Sequence, residues 1–207
     1  MFFNGNTEFG SDWLRRRLAS PRSSQASIVA DEFRVPSAGD YRPAAVLVPV
    51  VERSSGLTIL LTRRTPFLRQ HAGQICFPGG RVEPEDLTPA HTALRETEEE
   101  IGLAADKVEL LGHLDDYMTG TGYRVTPVVG LVRQPFELFP DASEVEEVFE
   151  LPLAILFDTN NHQFNSVFQD GKALKYFALP YRSHYIWGAT AAMLINFYFL
   201  LSEADPS

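Results

Sequence analysis

One cysteine in 207 residues, Cys76, excludes an internal disulfide and points to a reducing, cytoplasmic compartment. Apart from His71 it has no cationic neighbours of the kind that activate a thiol, so it reads as a small buried hydrophobe at a strand end. Basic residues are also scarce. Eighteen Lys and Arg against 27 Asp and Glu give a formal net charge of −9, which leaves no basic stripe for duplex nucleic acid. The five histidines lack metal-ligand spacing, so no zinc site is expected. The N-terminal stretch carries acidic residues and no apolar h-region; it reads as a short helix around residues 12–19 on a polar arm, not a secretory signal. Residues 185–201 contain no charge, but they number only 17, include Gly188, Thr190 and Asn196, and lack flanking basic residues. A buried C-terminal helix is expected there, with no membrane partner.

What the chain does have is acid concentrated at one place. Residues 79–103 read GGRVEPEDLTPAHTALRETEEEIGL and crowd Glu96, Glu98, Glu99 and Glu100 together. Thr88 is placed as N-cap, Pro89 as the first helical residue and Gly102 as the C′ glycine of one helix. Ala90, Ala93, Leu94, Thr97 and Ile101 follow at helical spacing and predict the core-facing stripe. On that wheel Glu96 and Glu100 share one edge, Glu99 lies further out beside Arg95, and Glu98 falls on the opposite edge. Like charges at i and i+4 repel by a few tenths of a kcal/mol. A solvated acidic face is the plain alternative, but the flanking glycines favour a divalent cation, Mg²⁺ or Mn²⁺, with Glu96 and Glu100 as ligands. Upstream, a β-rich run at 58–62 delivers Arg63, Arg64, Arg69 and His71 beside the Gly-Gly turn. Arginine forks so near metal-binding carboxylates suit a polyphosphate, although they could instead be surface partners of the glutamates. Gly79 and Gly80 are expected to let a ligand approach the backbone closely.

Residues 95–103, RETEEEIGL, resemble the core of the Nudix box, R-E-U-x-E-E-x-G-U with U hydrophobic. Thr97 stands where the pattern has an aliphatic residue. The segment from Gly80 to Arg95 is one residue longer than the common box, so the upstream acidic position falls on Leu87 by strict counting, or on Glu85 or Asp86 if one residue loops out. Residues 60–80, LLTRRTPFLRQHAGQICFPGG, are similar to the motif preceding the box in the coenzyme A pyrophosphatase branch, with Arg64, Arg69, Gly73, Phe77, Pro78, Gly79 and Gly80 on pattern positions. Residues 121–130, 144–153 and 185–194 are also similar to the bacterial members of that branch.

The resemblance implies an α/β fold, the Nudix α/β/α sandwich with a mixed β-sheet, over residues 40–207, behind an N-terminal arm and linker at 1–39. Strands are expected at 44–51, 57–62, 107–114, 123–133, 163–168 and 174–180, with a short helix near 151–156. The activity implied is metal-dependent hydrolysis of the diphosphate linkage of coenzyme A or its derivatives, giving 4′-phosphopantetheine and 3′,5′-ADP. Glu99 is a third metal ligand or an outer carboxylate oriented by Arg95, and the general base is Glu99 or Glu144. Arg64, Arg69, Gly79 and Gly80 are the expected substrate contacts. The alternatives are a Nudix enzyme for ADP-ribose or a dinucleotide, and a silent Nudix domain that only binds nucleotides. A homodimer is compatible with the sequence.

Overall fold

The computed structural model describes residues 10–19, 41–68, 71–169 and 172–202; the Ser/Pro/Gly-rich segment 20–40 lies outside them. Two apolar strands, β1 (Arg42–Arg53) and β2 (Gly56–Arg64), form a hairpin that pairs only over residues 50–53 and 56–59. Beyond that the two diverge. The gap is filled by two short strands: β3 (Ile75–Cys76) pairs with the end of β2, and β4 (Gly79–Arg81) pairs with residues 44–46 of β1.

The sheet continues on both sides. After β5 (Val108–His113) and β6 (Tyr117–Met118), β7 (Tyr123–Val132) runs parallel to β1 and antiparallel to both β5 and β6. On the other side β8 (Val145–Pro152) lies antiparallel to β2, completing a mixed sheet of eight strands among the described residues. Helix α3 (Ala154–Phe157) follows β8, and a second sheet contains β9 (Gln163–Gln169), β10 (Lys172–Tyr181) and β11 (His184–Trp187).

Strand alternation separates two cores. Ala45, Leu47 and Val51 of β1 pack with Ala93, Ile101 and Leu103 under helix α2 (Pro89–Ile101). Ala44, Val48 and Val50 face the other way, toward helix α4 (Ala189–Ser202), Leu14 of α1 (Ser11–Ala19), and Leu179 and Ile186 of the second sheet. The result is the expected α/β/α layering. Helix α4 buries an unbroken run from Thr190 to Phe197, and among the described residues no helix is long and apolar enough to cross a membrane.

Two expectations change. The uncharged run from residue 185 is not one helix: residues 185–187 belong to β11, and Gly188, at φ 65°, separates that strand from α4. Residues 145–152 form β8, a strand missing from the expected set, and the short helix expected near 151–156 lies at Ala154–Phe157 instead.

Helix α2 ends as the sequence predicts, with Gly102 at φ 68° donating its N–H to the Glu98 carbonyl at 2.9 Å. The chain then returns beneath it: Phe139 N–H donates to the Ile101 carbonyl at 2.8 Å and Asp141 N–H to the Glu100 carbonyl at 2.9 Å. A Cβ on Gly102 would lie 2.8 Å from Phe139 Cβ and 2.9 Å from its backbone nitrogen. Gly102→Ala therefore combines a left-handed backbone with a steric clash. We expect a loss of about 1–3 kcal/mol in urea denaturation; an unchanged midpoint would show that the 136–141 segment moves aside freely.

Candidate active site

The caps read from sequence set the length and rotation of α2. The Thr88 hydroxyl accepts from His91 N–H at 3.2 Å, Pro89 follows, and Gly102 closes the far end. Thr97, in the aliphatic position of the box, is fully buried and satisfies its hydroxyl by donating to the Ala93 carbonyl at 2.6 Å. The glutamates then separate as the wheel predicts. Glu98 and Glu99 are exposed, Glu96 is half-buried, and Glu100 retains only 4% of its exposure.

Glu100 enters the opening between β1 and β2. Its Oε2 accepts from Gly79 N–H at 3.2 Å and its Oε1 from Arg64 Nη1 at 2.9 Å. Burial pushes its carboxyl up to about 7, against the opposing pull of Arg64 and the Gly79 N–H. The second guanidinium nitrogen of Arg64, Nη2, donates to Glu144 Oε2 at 3.0 Å, so one fork ties the end of β2 to α2 and to the residue before β8.

Both glycines are required sterically. Gly79 has φ 152°, and a Cβ there would stand 2.5 Å from both the Ala45 carbonyl oxygen and Val46 Cα. At Gly80 a Cβ would lie 2.3 Å from the carboxyl carbon of Glu96, so that carboxylate rests directly against the β4 backbone. Burial raises the Glu96 carboxyl, Arg95 opposes this, and Glu99 and Glu144 add to the rise.

Arg95 is the second organising cation. It donates from Nη1 to Glu96 at 3.0 Å and to Glu99 at 3.3 Å, and from Nη2 to the Arg81 carbonyl at 3.1 Å. Its strongest anchor is Asp86, through Nε at 3.3 Å and Nη2 at 2.9 Å. Asp86 also accepts from Glu83 N–H and the Thr92 hydroxyl, both at 2.9 Å. The Arg95 hydrogen bonds foremost, with the Glu83 N–H, hold its carboxyl well below the usual carboxylate range. Of the three upstream positions open in the sequence, Leu87 is 82% exposed and Glu85 is exposed; Asp86 turns inward and clamps Arg95. No motif position singled out that clamp, although a carboxylate before a helix that carries an arginine is a recognisable signal.

The remaining expected residues scatter. Arg63 faces the opposite side of the sheet and pairs with Glu147 at 3.2 Å; strand alternation alone could have separated it from Arg64. His71 is exposed at φ 57° and bonds Gln74 at 2.8 Å. Burial of the Cys76 thiol pushes it up to about 11, with Glu100 adding to the rise and Arg64 opposing it, so the cation beside the thiol is Arg64, which the sequence did not place there. Arg69 lies outside the described residues.

Among the described residues, no three His, Cys, Asp or Glu side chains already converge as a ligand set. The residues present nevertheless fit a divalent cation by donor chemistry and by charge. Five carboxylates, Asp86, Glu96, Glu99, Glu100 and Glu144, share the two guanidiniums of Arg64 and Arg95. That surplus of hard oxygen donors beside a backbone cleared of side chains suits Mg²⁺ or Mn²⁺, with Glu96 and Glu100 nearest the glycines.

The NUDIX domain family matches residues 40–169. The "Uncharacterized Nudix hydrolase NudL" of Photorhabdus laumondii is 40% identical over 153 residues, 74% of this chain and 81% of the relative. The protein of the same name from Yersinia enterocolitica is 40% identical over 151 residues, 73% of this chain and 77% of its own. Among solved structures, the Nudix hydrolase RenU from M. smegmatis superimposes with a TM-score of 0.48 at 22% identity, over 56% of this chain and 74% of that one. The chain belongs to the Nudix family.

The Asp86 clamp gives a pH-dependent prediction. Its folded-state pKa is depressed, so its contribution to stability is complete above the ordinary Asp range near about pH 4 and is lost as pH falls toward the lower folded value. Asp86→Asn should cost about 1–3 kcal/mol at neutral pH, and the gap from the parent should close in acid. A gap that stays constant through acid denaturation would contradict this.

Proposed function

We propose that this chain hydrolyses the diphosphate linkage of coenzyme A or its derivatives to 4′-phosphopantetheine and 3′,5′-ADP. The observation that carries the hydrolytic part is the fork of Arg64 between Glu100 and Glu144 beside Gly79 and Gly80. It gathers acid, cation and open backbone at one edge. The choice of coenzyme A rests on residues 60–80, which resemble the coenzyme A pyrophosphatase motif and deliver that same arginine.

Glu96 and Glu100 would hold the ion, with Glu99 as third ligand or outer carboxylate; once bound, Mg²⁺ or Mn²⁺ would neutralise phosphoryl oxygens and acidify a water. Arg64 offers N–H donors to the charge that grows on the phosphoryl oxygens as the water oxygen bonds to phosphorus, and Arg69 is assigned the same role by its motif position alone. The bridging P–O bond breaks and the second phosphate leaves as an anion. Arg95 holds Glu96 and Glu99 in position through its own anchor on Asp86. Gly79 and Gly80 keep side chains out of the path of the diphosphate. Of the two candidates for the base, Glu144 is favoured: it touches Arg64, the residue that also holds Glu100, and its side chain keeps 45% of its exposure, whereas Glu99 sits on the outer side of α2 with Arg95. The water's proton passes to a Glu144 carboxylate oxygen.

Three measurements test this reading. Coenzyme A and ADP-ribose are compared at equal Mg²⁺, with products identified by mass; coenzyme A should be cleaved faster, and faster cleavage of ADP-ribose would sink the substrate assignment. Glu96→Gln and Glu100→Gln should each remove most turnover, with melting curves checking that each variant folds, while Glu98→Gln, on the exposed side, should be nearly silent. Equal damage from Glu98→Gln would overturn the ligand assignment. Glu144→Gln should lower kcat by roughly 10²–10⁴-fold, against a smaller effect for Glu99→Gln; the reverse order would move the base onto the helix.

A further inference from the structure

Tyr123, the first residue of β7, lies across β1 from the glycine strand and carries two guanidiniums. Arg42 stands 4.2 Å from the ring centroid and Arg81 5.4 Å. The register explains the meeting. Arg42 is opposite Tyr123, and Ala44 of the same strand is opposite Arg81 on one side and Val125 on the other. Arg81 immediately follows Gly80, and at about 3.3 Å of rise per strand residue it stands within roughly two residues' reach of the Gly79 and Gly80 backbone.

Neither arginine has a carboxylate partner among the described residues. Among the described residues the Arg42 side chain makes one hydrogen bond, from Nη2 to the Thr121 carbonyl at 3.3 Å. Asp116, just before β6, is engaged with other residues: it accepts from the Thr126 hydroxyl at 2.6 Å and pairs with Arg124 at 3.6 Å. With no carboxylate of the described residues against either of them, two guanidiniums held on one ring repel each other, in a chain whose formal net charge is −9. Stacking on an aromatic face leaves the N–H edges of a guanidinium free to fork onto an anion. A phosphomonoester, carrying between one and two negative charges near neutral pH, matches such a pair.

We infer that Arg42 and Arg81, gathered on Tyr123 at the outer end of β4, form a second anion site that receives a phosphomonoester of the substrate apart from its diphosphate. This rests on the coenzyme A reading for the identity of that group, the 3′-phosphate of the adenosine half.

The test separates the two ideas. Adenosine 3′,5′-bisphosphate and AMP are titrated calorimetrically into the parent chain, Arg42→Gln and Arg81→Gln. The parent should bind the bisphosphate more tightly than AMP, and each variant should lose about tenfold in bisphosphate affinity, drawing the two ligands together. Arg42→Lys and Arg81→Lys keep the charge without the fork and should fall between. In turnover, the ratio of kcat/KM for coenzyme A over 3′-dephospho-coenzyme A should drop in the same variants. All four substitutions are at exposed positions, and melting curves check that each variant folds. A parent chain indifferent to the 3′-phosphate, or variants that weaken both ligands equally, would overturn the site. Faster hydrolysis of ADP-ribose than of coenzyme A would overturn the substrate assignment instead, while the bisphosphate titration would still read the anion site.

Discussion

The candidate site depends on a carboxylate that has been taken out of water. Glu100 is almost fully buried, and a buried charge is costly unless each oxygen finds a donor. Gly79 N–H and Arg64 supply those donors from two different strands. Satisfying Glu100 therefore fixes the helix, the glycine turn and the end of β2 relative to one another. The divergence of β1 and β2 is what admits this arrangement. Had the hairpin stayed paired along its length, β4 would have no place beside β1, and Gly79 could not present its N–H to the helix.

Two arginines divide the work that follows. Arg64 reaches across to Glu144, so that a residue far along the chain joins the box carboxylates. Arg95 is held from behind by Asp86 and faces Glu96 and Glu99. The loop that brings Glu144 into place is docked by hydrogen bonds to the carbonyls of Ile101 and Glu100. The C-terminal carbonyls of α2 thus seat the segment that carries Glu144, and Gly102, without a side chain, makes room for it.

Much of this was legible in the chain because it rests on local rules. Thr88, Pro89 and Gly102 mark the ends of α2, and the wheel places Glu98 outside and Glu96 and Glu100 on one edge, as the structure has them. The apolar run of β1 and the β-rich run of β2 were readable too. Strands β3 and β4 were not, since two or three residues carry no period and their pairing is dictated by distant partners. The role of Asp86 was hidden by the extra residue before Arg95, which shifts motif counting while leaving the geometry intact. Strand β8 was missed because Glu146, Glu147 and Glu150 interrupt its apolar residues; Glu147 is met by Arg63 and Glu150 by Arg53. Similarly, β11 disappeared into an uncharged run, since apolar content alone does not separate a strand from the helix that follows it.

The central claim is that Glu96 and Glu100 hold a divalent cation beside Gly79 and Gly80. It is tested most directly by a crystal structure grown with Mn²⁺ and recorded with anomalous scattering. The account predicts an anomalous peak at about 2.0–2.2 Å from carboxylate oxygens of both glutamates, with Arg64 still linking that ligand set to Glu144. A peak at other carboxylates, or none at saturating Mn²⁺, would contradict it.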